Sequence, residues 1–231
     1  MIENISLSVH LLNFFTLFLP MLLLGLILNK SSERLQKRIL HIELALLFWI
    51  LFQSTLSLNR WYMDQKSGAI HLLFPFVFPV LVFFFLYVTP RGKRLFQGIN
   101  QKTLILLHAT RLPLGILLLL LMNERQTPVD LTIMGLNWDI CFGVFALLLF
   151  TIHKQHESNR TLFYLFHIGG MLSMIIQMAL CFFSVAGPHQ ILGITQPYYA
   201  ATHFPFSLVP TVLFGLFFVA HLIALAPKPK T

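Results

Sequence analysis

Seven long apolar runs divide this chain, and no other feature limits its fold so severely. They are Leu11–Leu28, Ile39–Leu58, Ile70–Val88, Thr103–Met122, Trp138–Ile152, Leu162–Val185 and Phe204–Leu225. Most are close to the roughly 20 residues a helix needs to cross the hydrocarbon core of a bilayer. A backbone exposed to lipid must satisfy its own hydrogen bonds, so runs of this length read as helices and not as strands. Charged residues make up only 10% of the chain, against about 25% in a typical soluble domain. The expectation is an all-α integral membrane protein of seven transmembrane helices, a single domain over residues 1–231.

Lysine and arginine set the orientation. Twelve of the sixteen fall at one side of the runs: Lys30, Arg34, Lys37, Arg38, Arg91, Lys93, Arg94, Lys102, Lys154, Arg160, Lys228 and Lys230. Three fall at the other, Arg60, Lys66 and Arg125, and Arg111 lies inside a run. The positive-inside rule then places the N-terminus outside and the C-terminus in the cytoplasm. Trp61, Tyr62, Trp138, Tyr198 and Tyr199 sit at the outer ends of the runs, where an interfacial aromatic belt is expected. The net charge of +8 follows from this loop bias and does not point to nucleic acid. Cys141 and Cys181 lie within apolar runs and read as small buried residues, with no disulfide or metal spacing. The first run lacks the basic residues that precede a signal peptide's apolar core, so it is expected to stay as a helix.

A shift of 124 residues aligns the first three runs with the last three. Leu12-Asn13 meets Leu136-Asn137, Lys30 meets Lys154, Glu33 meets Glu157, and Gln53 meets Gln177. With six extra residues in one loop, Phe74-Pro75-Phe76 meets Phe204-Pro205-Phe206. This points to a parallel 3+1+3 repeat, residues 9–88 and 134–226, joined by the fourth helix at 103–122. An odd number of helices per unit needs one connecting helix to restore orientation.

In outline the chain resembles the sugar-exporting SWEET transporters and the microbial rhodopsins, both seven-helix proteins. It lacks their signatures. No lysine stands in Phe204–Leu225 to tether retinal, and there is no clear PQ-loop motif. At HATRLP in the fourth run and FPF-x-x-x-P opening the seventh, it looks like a group of uncharacterised bacterial seven-helix inner-membrane proteins. Members of that group often carry an acidic residue where this chain has Gly115. The resemblance implies a bacterial inner-membrane location and brings no activity with it.

Polar residues inside apolar runs mark the candidate site. Arg111 lies roughly 12 Å from the cytoplasmic end of its helix, near the middle of the bilayer. A charge there is costly, so it faces a bundle interior or a wet cavity. The sequence places no carboxylate at its depth: Glu43 falls near one end of helix two and Asp139 near the outer end of helix five. Arg111 is therefore expected to meet an anionic ligand group, or else to bond carbonyls freed by proline or the amides of Gln53 and Gln177. His108, His167 and His221 fall at one depth, each about 8–9 Å from a helix end. Three imidazoles at one level can ligate a metal ion, two of them a haem iron, or they can relay protons. Gln53 and Gln177, at equivalent repeat positions, can line a polar site or join helices.

No phosphate loop, zincin pattern or G-x-S-x-G is present, and an enzyme is not expected. The first expectation is a carrier or ligand-binding protein for a small polar or anionic compound. Its site would comprise Arg111, His108, Gln53 and Gln177 between the helix triplets, within the lipid bilayer. The second is a haem- or metal-binding membrane protein using His108, His167 and His221. The third is a non-catalytic structural or assembly subunit of a membrane complex.

Overall fold

The computed structural model describes residues 5–64, 66–155 and 160–226. Among these residues all regular structure is helical. The order is α1 (Leu7–Asn29), α2 (Glu33–Gln36), α3 (Ile39–Leu58), α4 (Gly68–Val88), α5 (Pro90–Gln97), α6 (Gln101–Leu107), α7 (Arg111–Asn123), α8 (Asp139–Gln155), α9 (Arg160–Ser184) and α10 (Phe214–Leu225). Five helices are long and apolar enough to cross a membrane: Leu7–Asn29, Ile39–Leu58, Ala69–Val88, Gln101–Asn123 and Arg160–Ser184. Two shorter apolar helices, Asp139–Ile152 and Val209–Leu225, accompany them.

In the peripheral helix α3 the distribution of side chains is inverted relative to a protein in water. In α3 the buried residues are Gln53 and Ser57, while Leu40, Leu44, Leu47, Phe48 and Leu51 are exposed. Phe85 of α4 is 75% exposed and Val88 83%. Water would penalise such surfaces heavily; hydrocarbon does not. The few polar groups turn inward because lipid offers them no hydrogen bonds.

Helix α8 packs between α6–α7 and α9, and α10 lies between α9 and α4. Helix α1 lies along α6 and α7. Helix α3 is peripheral, and its buried Ser57 is hydrogen-bonded to Ser207 at 2.6 Å. Ser57→Ala is expected to cost about 1 kcal/mol in thermal or denaturant unfolding; an unchanged midpoint would show that α3 is held by other contacts. Glycines set the closest approaches. A Cβ on Gly143 of α8 would stand 2.9 Å from the Leu112 backbone nitrogen, and one on Gly115 of α7 would stand 2.7 Å from Ile140. A Cβ on Gly215 would stand 3.2 Å from the Pro75 carbonyl oxygen. Small residues at such crossings let backbones meet, the usual device for packing helices in lipid.

Four expectations are corrected. The fourth run is not one α-helix: a 3₁₀ turn at His108–Thr110 separates α6 from α7. The seventh run is regular only from Phe214; Pro210 lies in a single π turn, Val209–Leu213, and Pro205 precedes it. Proline lacks an N–H and crowds the preceding turn, which accounts for the late start. The belt is partial. Trp61, Trp138 and Tyr199 are exposed, but Tyr62 and Tyr198 are buried, Tyr62 because its hydroxyl donates to Gln53 Oε1. Cys141 is exposed and only Cys181 is buried.

The connections after α7 and α9 are tied together. The Gln196 side chain donates to the Met122 carbonyl at 2.9 Å and also to that of Thr127. The Ala200 N–H donates to the Gln126 carbonyl at 3.0 Å.

Candidate metal centre

His108 ends α6 and opens the 3₁₀ turn, and Arg111 opens α7. His167 belongs to α9 and His221 to α10. All four are fully buried. One ring nitrogen from each histidine lies within 4.8 Å of the other two. The common depth read from the sequence is thus a common place. His108 stacks on His221 with centroids 3.8 Å apart and ring planes 15° apart. His167 Nδ1 is 2.8 Å from His221 Nδ1.

Gly170 makes room for this cluster. It stands one turn beyond His167 on α9, and a Cβ there would fall well inside contact distance of the His221 ring. The ring occupies the groove that an absent side chain leaves. The phenylalanine rings of Phe166, Phe163 and Phe217 close the surroundings with centroids 4.4–6.1 Å from one or more of the imidazoles.

The expected solitary Arg111 is corrected. Its Nη1 donates to Asp139 Oδ1 at 3.0 Å, an ion pair buried at both ends. Its Nη2 donates to His221 Nε2 at 2.8 Å. The guanidinium also lies over the rings of Phe217 (5.4 Å) and Phe142 (5.9 Å), where the negative faces of the rings favour a cation. Asp139 reaches Arg111 because it is the first residue of α8 and is drawn inward. The Asn137 side-chain oxygen accepts its N–H at 2.9 Å, Asn137 Nδ2 donates to the Leu131 carbonyl at 2.8 Å, and Ser173 donates to Asp139 Oδ1 at 2.8 Å. The close α7–α8 crossing at Gly115 and Gly143 shortens the remaining distance.

A guanidinium can only donate, so Nε2 of His221 is the acceptor and the His221 proton belongs on Nδ1, facing His167. Asp139, Arg111, His221 and His167 therefore form one hydrogen-bonded chain. His108 stands beside it with no hydrogen-bond partner at either nitrogen, and His167 Nε2 has none. Buried imidazole nitrogens without partners are costly, and they are the atoms a metal ion takes.

A bare ion fits these residues better than haem. Neutral imidazole suits zinc, copper, iron and nickel, and ligating nitrogens lie about 2.0–2.1 Å from such an ion. The nitrogens lie within 4.8 Å of one another, and ligation would require them to close further by turning their rings. Two stacked rings 3.8 Å apart leave no space for a porphyrin between them.

Gln53 and Gln177 are both buried, but no hydrogen bond joins them. Gln53 accepts from Tyr62, and Gln177 has no partner at either amide atom. Sequence reasoning missed the roles of Asp139, Ser173 and Gly170. The available signal for the first was charge: a buried arginine needs a carboxylate, and only Glu43 and Asp139 lie within the runs.

The sequence model of one family, described as a domain of unknown function (DUF8737), matches residues 69–227. No curated protein and no solved structure matches the chain. The matched segment holds His108, Arg111, Asp139, His167 and His221, while Gln53 lies before it.

Proposed function

The chain belongs to this family, whose description assigns no activity, and from the site itself we propose that it is a membrane metalloprotein with a transition-metal ion held by His108, His167 and His221. The observation that carries this reading is the convergence of three buried imidazoles, from three separate helical elements, within 4.8 Å. In the same proposal the chain has seven spans in a bacterial inner membrane, N-terminus outside and C-terminus cytoplasmic. The two shorter apolar helices supply the sixth and seventh crossings, and the loop bias of twelve basic residues against three supports the orientation. The parallel 3+1+3 repeat rests on the aligned polar residues alone.

Arg111 and Asp139 hold the third imidazole. Residues that hydrogen-bond to a metal-binding histidine fix its ring orientation, and Arg111 does so at His221 Nε2. With Nε2 accepting from Arg111 and the proton on Nδ1 facing His167, His221 would join the ligand set by giving up that proton or one of these hydrogen bonds.

The test is metal content. Protein purified from cells grown with zinc, copper, iron and nickel is expected to carry about one first-row ion per chain by mass spectrometry of the elements. The variant His108→Ala/His167→Ala/His221→Ala should carry none while keeping its helical circular dichroism. Wild-type protein that stays metal-free after incubation with each ion in turn would overturn the reading.

One observation favours a second reading, a carrier for a small polar or anionic compound. Gln177 is buried with both amide atoms unpartnered, as expected of a group that meets a polar ligand. Uptake into vesicles that is unaffected by Gln177→Leu would remove it.

A further inference from the structure

The two basic connections at one end of the bundle are locked together. The Ser32 N–H donates to the Gly98 carbonyl at 3.0 Å. The Asn100 N–H donates to Ser31 Oγ at 3.1 Å, and Asn100 Nδ2 donates to the Lys30 carbonyl at 3.3 Å. Gly98 keeps this crossing close: a Cβ there would displace the Ser32 hydroxyl. Segments about seventy residues apart in sequence thereby share one surface. It exposes Arg34, Lys37 and Arg38 from the first and Arg91, Lys93 and Arg94 from the second. The one acidic residue in the two segments is Glu33, and it is tied to Lys37 at 2.7 Å.

Helix α5 gives this surface its relation to the bilayer. It follows α4 directly, with Thr89 accepting from the Gly92 N–H at 3.0 Å and Pro90 at its first position. Phe96 is buried against Phe83, centroids 4.9 Å apart, while Arg91, Lys93 and Arg94 are exposed. The end of α4 beside it presents bare hydrocarbon: Leu86 and Val88 are exposed. An apolar flank with a basic helix joined to its end and packed against it is the arrangement of an interfacial anchor.

We propose that this interlocked surface is a binding site for the phosphate headgroups of anionic phospholipids. The positive-inside rule accounts for how many basic residues each loop carries, but it does not require two loops to be joined. Joining them crowds like charges, which repel unless an anion covers them. Clusters of lysine and arginine at the end of a spanning helix attract anionic lipid, and here the adjoining α4 end offers the acyl chains a partner. Nucleic acid, the other polyanion such a surface could attract, has no use for the exposed Leu86 and Val88. The proposal rests on the membrane-spanning reading and is independent of the metal centre.

The test uses the full-length protein in nanodiscs of mixed phosphatidylcholine and phosphatidylglycerol, released for native mass spectrometry with its adhering lipids. Phosphatidylglycerol is expected to be enriched roughly tenfold over its bulk share. Arg91→Gln/Lys93→Gln/Arg94→Gln should abolish the enrichment. Arg34→Gln/Lys37→Gln/Arg38→Gln should do the same, because both segments build one site. Arg60→Gln/Lys66→Gln, on the α3–α4 connection, should leave it unchanged, and raised salt should weaken it. Equal lipid ratios in wild type and both triple variants would overturn the site. A chain that does not enter nanodiscs would instead overturn the spanning reading.

Discussion

Arg111→Ala lowers the unfolding free energy by about 3–5 kcal/mol, the usual cost of stranding one partner of a buried ion pair. Asp139, buried in the bundle, would keep only Ser173 and its own backbone contact with Asn137. Asp139→Ala has the same sign, since it strands Arg111. Replacing both, as Arg111→Met/Asp139→Leu, removes the need for a partner and should recover much of the loss, so the two changes are strongly non-additive. Arg111→Lys does not restore the wild type. An ammonium lacks the planar fork that serves Asp139 and His221 at once. Thermal unfolding in detergent, followed by circular dichroism, measures all four variants. A single alanine variant with the wild-type midpoint would show that Asp139 does not depend on Arg111.

Gly170→Ala is the second large effect, and it removes no ligand. The added methyl would enter the space of the His221 ring. Either the ring turns away, or α9 and α10 move apart at a cost of about 1–3 kcal/mol. In both cases one imidazole leaves the set, and metal affinity is expected to fall roughly 10–100-fold, as when an orienting contact of a ligand is lost. Gly169→Ala is the control: a Cβ there meets the edge of Phe142 at 3.1 Å, away from the histidines. Competition with a chromophoric chelator gives the affinities. If Gly170→Ala binds as tightly as wild type, the ring of His221 is not where the ion sits.

The histidine trio was legible in the sequence because depth along a helix follows from residue count and a constant rise. Counting does not give azimuth, and facing geometry came only with the packing of α6, α9 and α10. The partner of Arg111 was hidden for a related reason. Asp139 begins its helix, and a helix start reads as a boundary with solvent. Here the capping by Asn137 and the α7–α8 crossing at Gly115 and Gly143 draw that boundary inward. A side chain at position 115 would meet Ile140.

The aligned FPF pairs show the opposite limit. Phe74-Pro75-Phe76 lies within α4, whereas Phe204-Pro205-Phe206 precedes the π turn. Identical tripeptides take different structures although each is followed by a second proline: Pro75 and Pro79 both lie inside α4, whereas Pro210, five residues after Pro205, lies in the π turn. The family match begins at residue 69, which separates the third apolar run from the first two and does not follow the proposed triplet boundary.

The 3₁₀ turn at His108–Thr110 changes the phase of the fourth apolar run. Each residue there advances about 120° around the axis, against about 100° in an α-helix, so residues three apart project in the same direction. His108 and Arg111 are three apart. One stacks on His221 and the other donates to its Nε2, a pair of contacts that a continuous α-helix would set about 60° apart around the axis. Over the turn the two halves of the run slip by about 60° relative to an unbroken helix. The faces of α6 and α7 are therefore two separate wheels, and one angular origin drawn through 101–123 would misplace whichever half it was not fitted to.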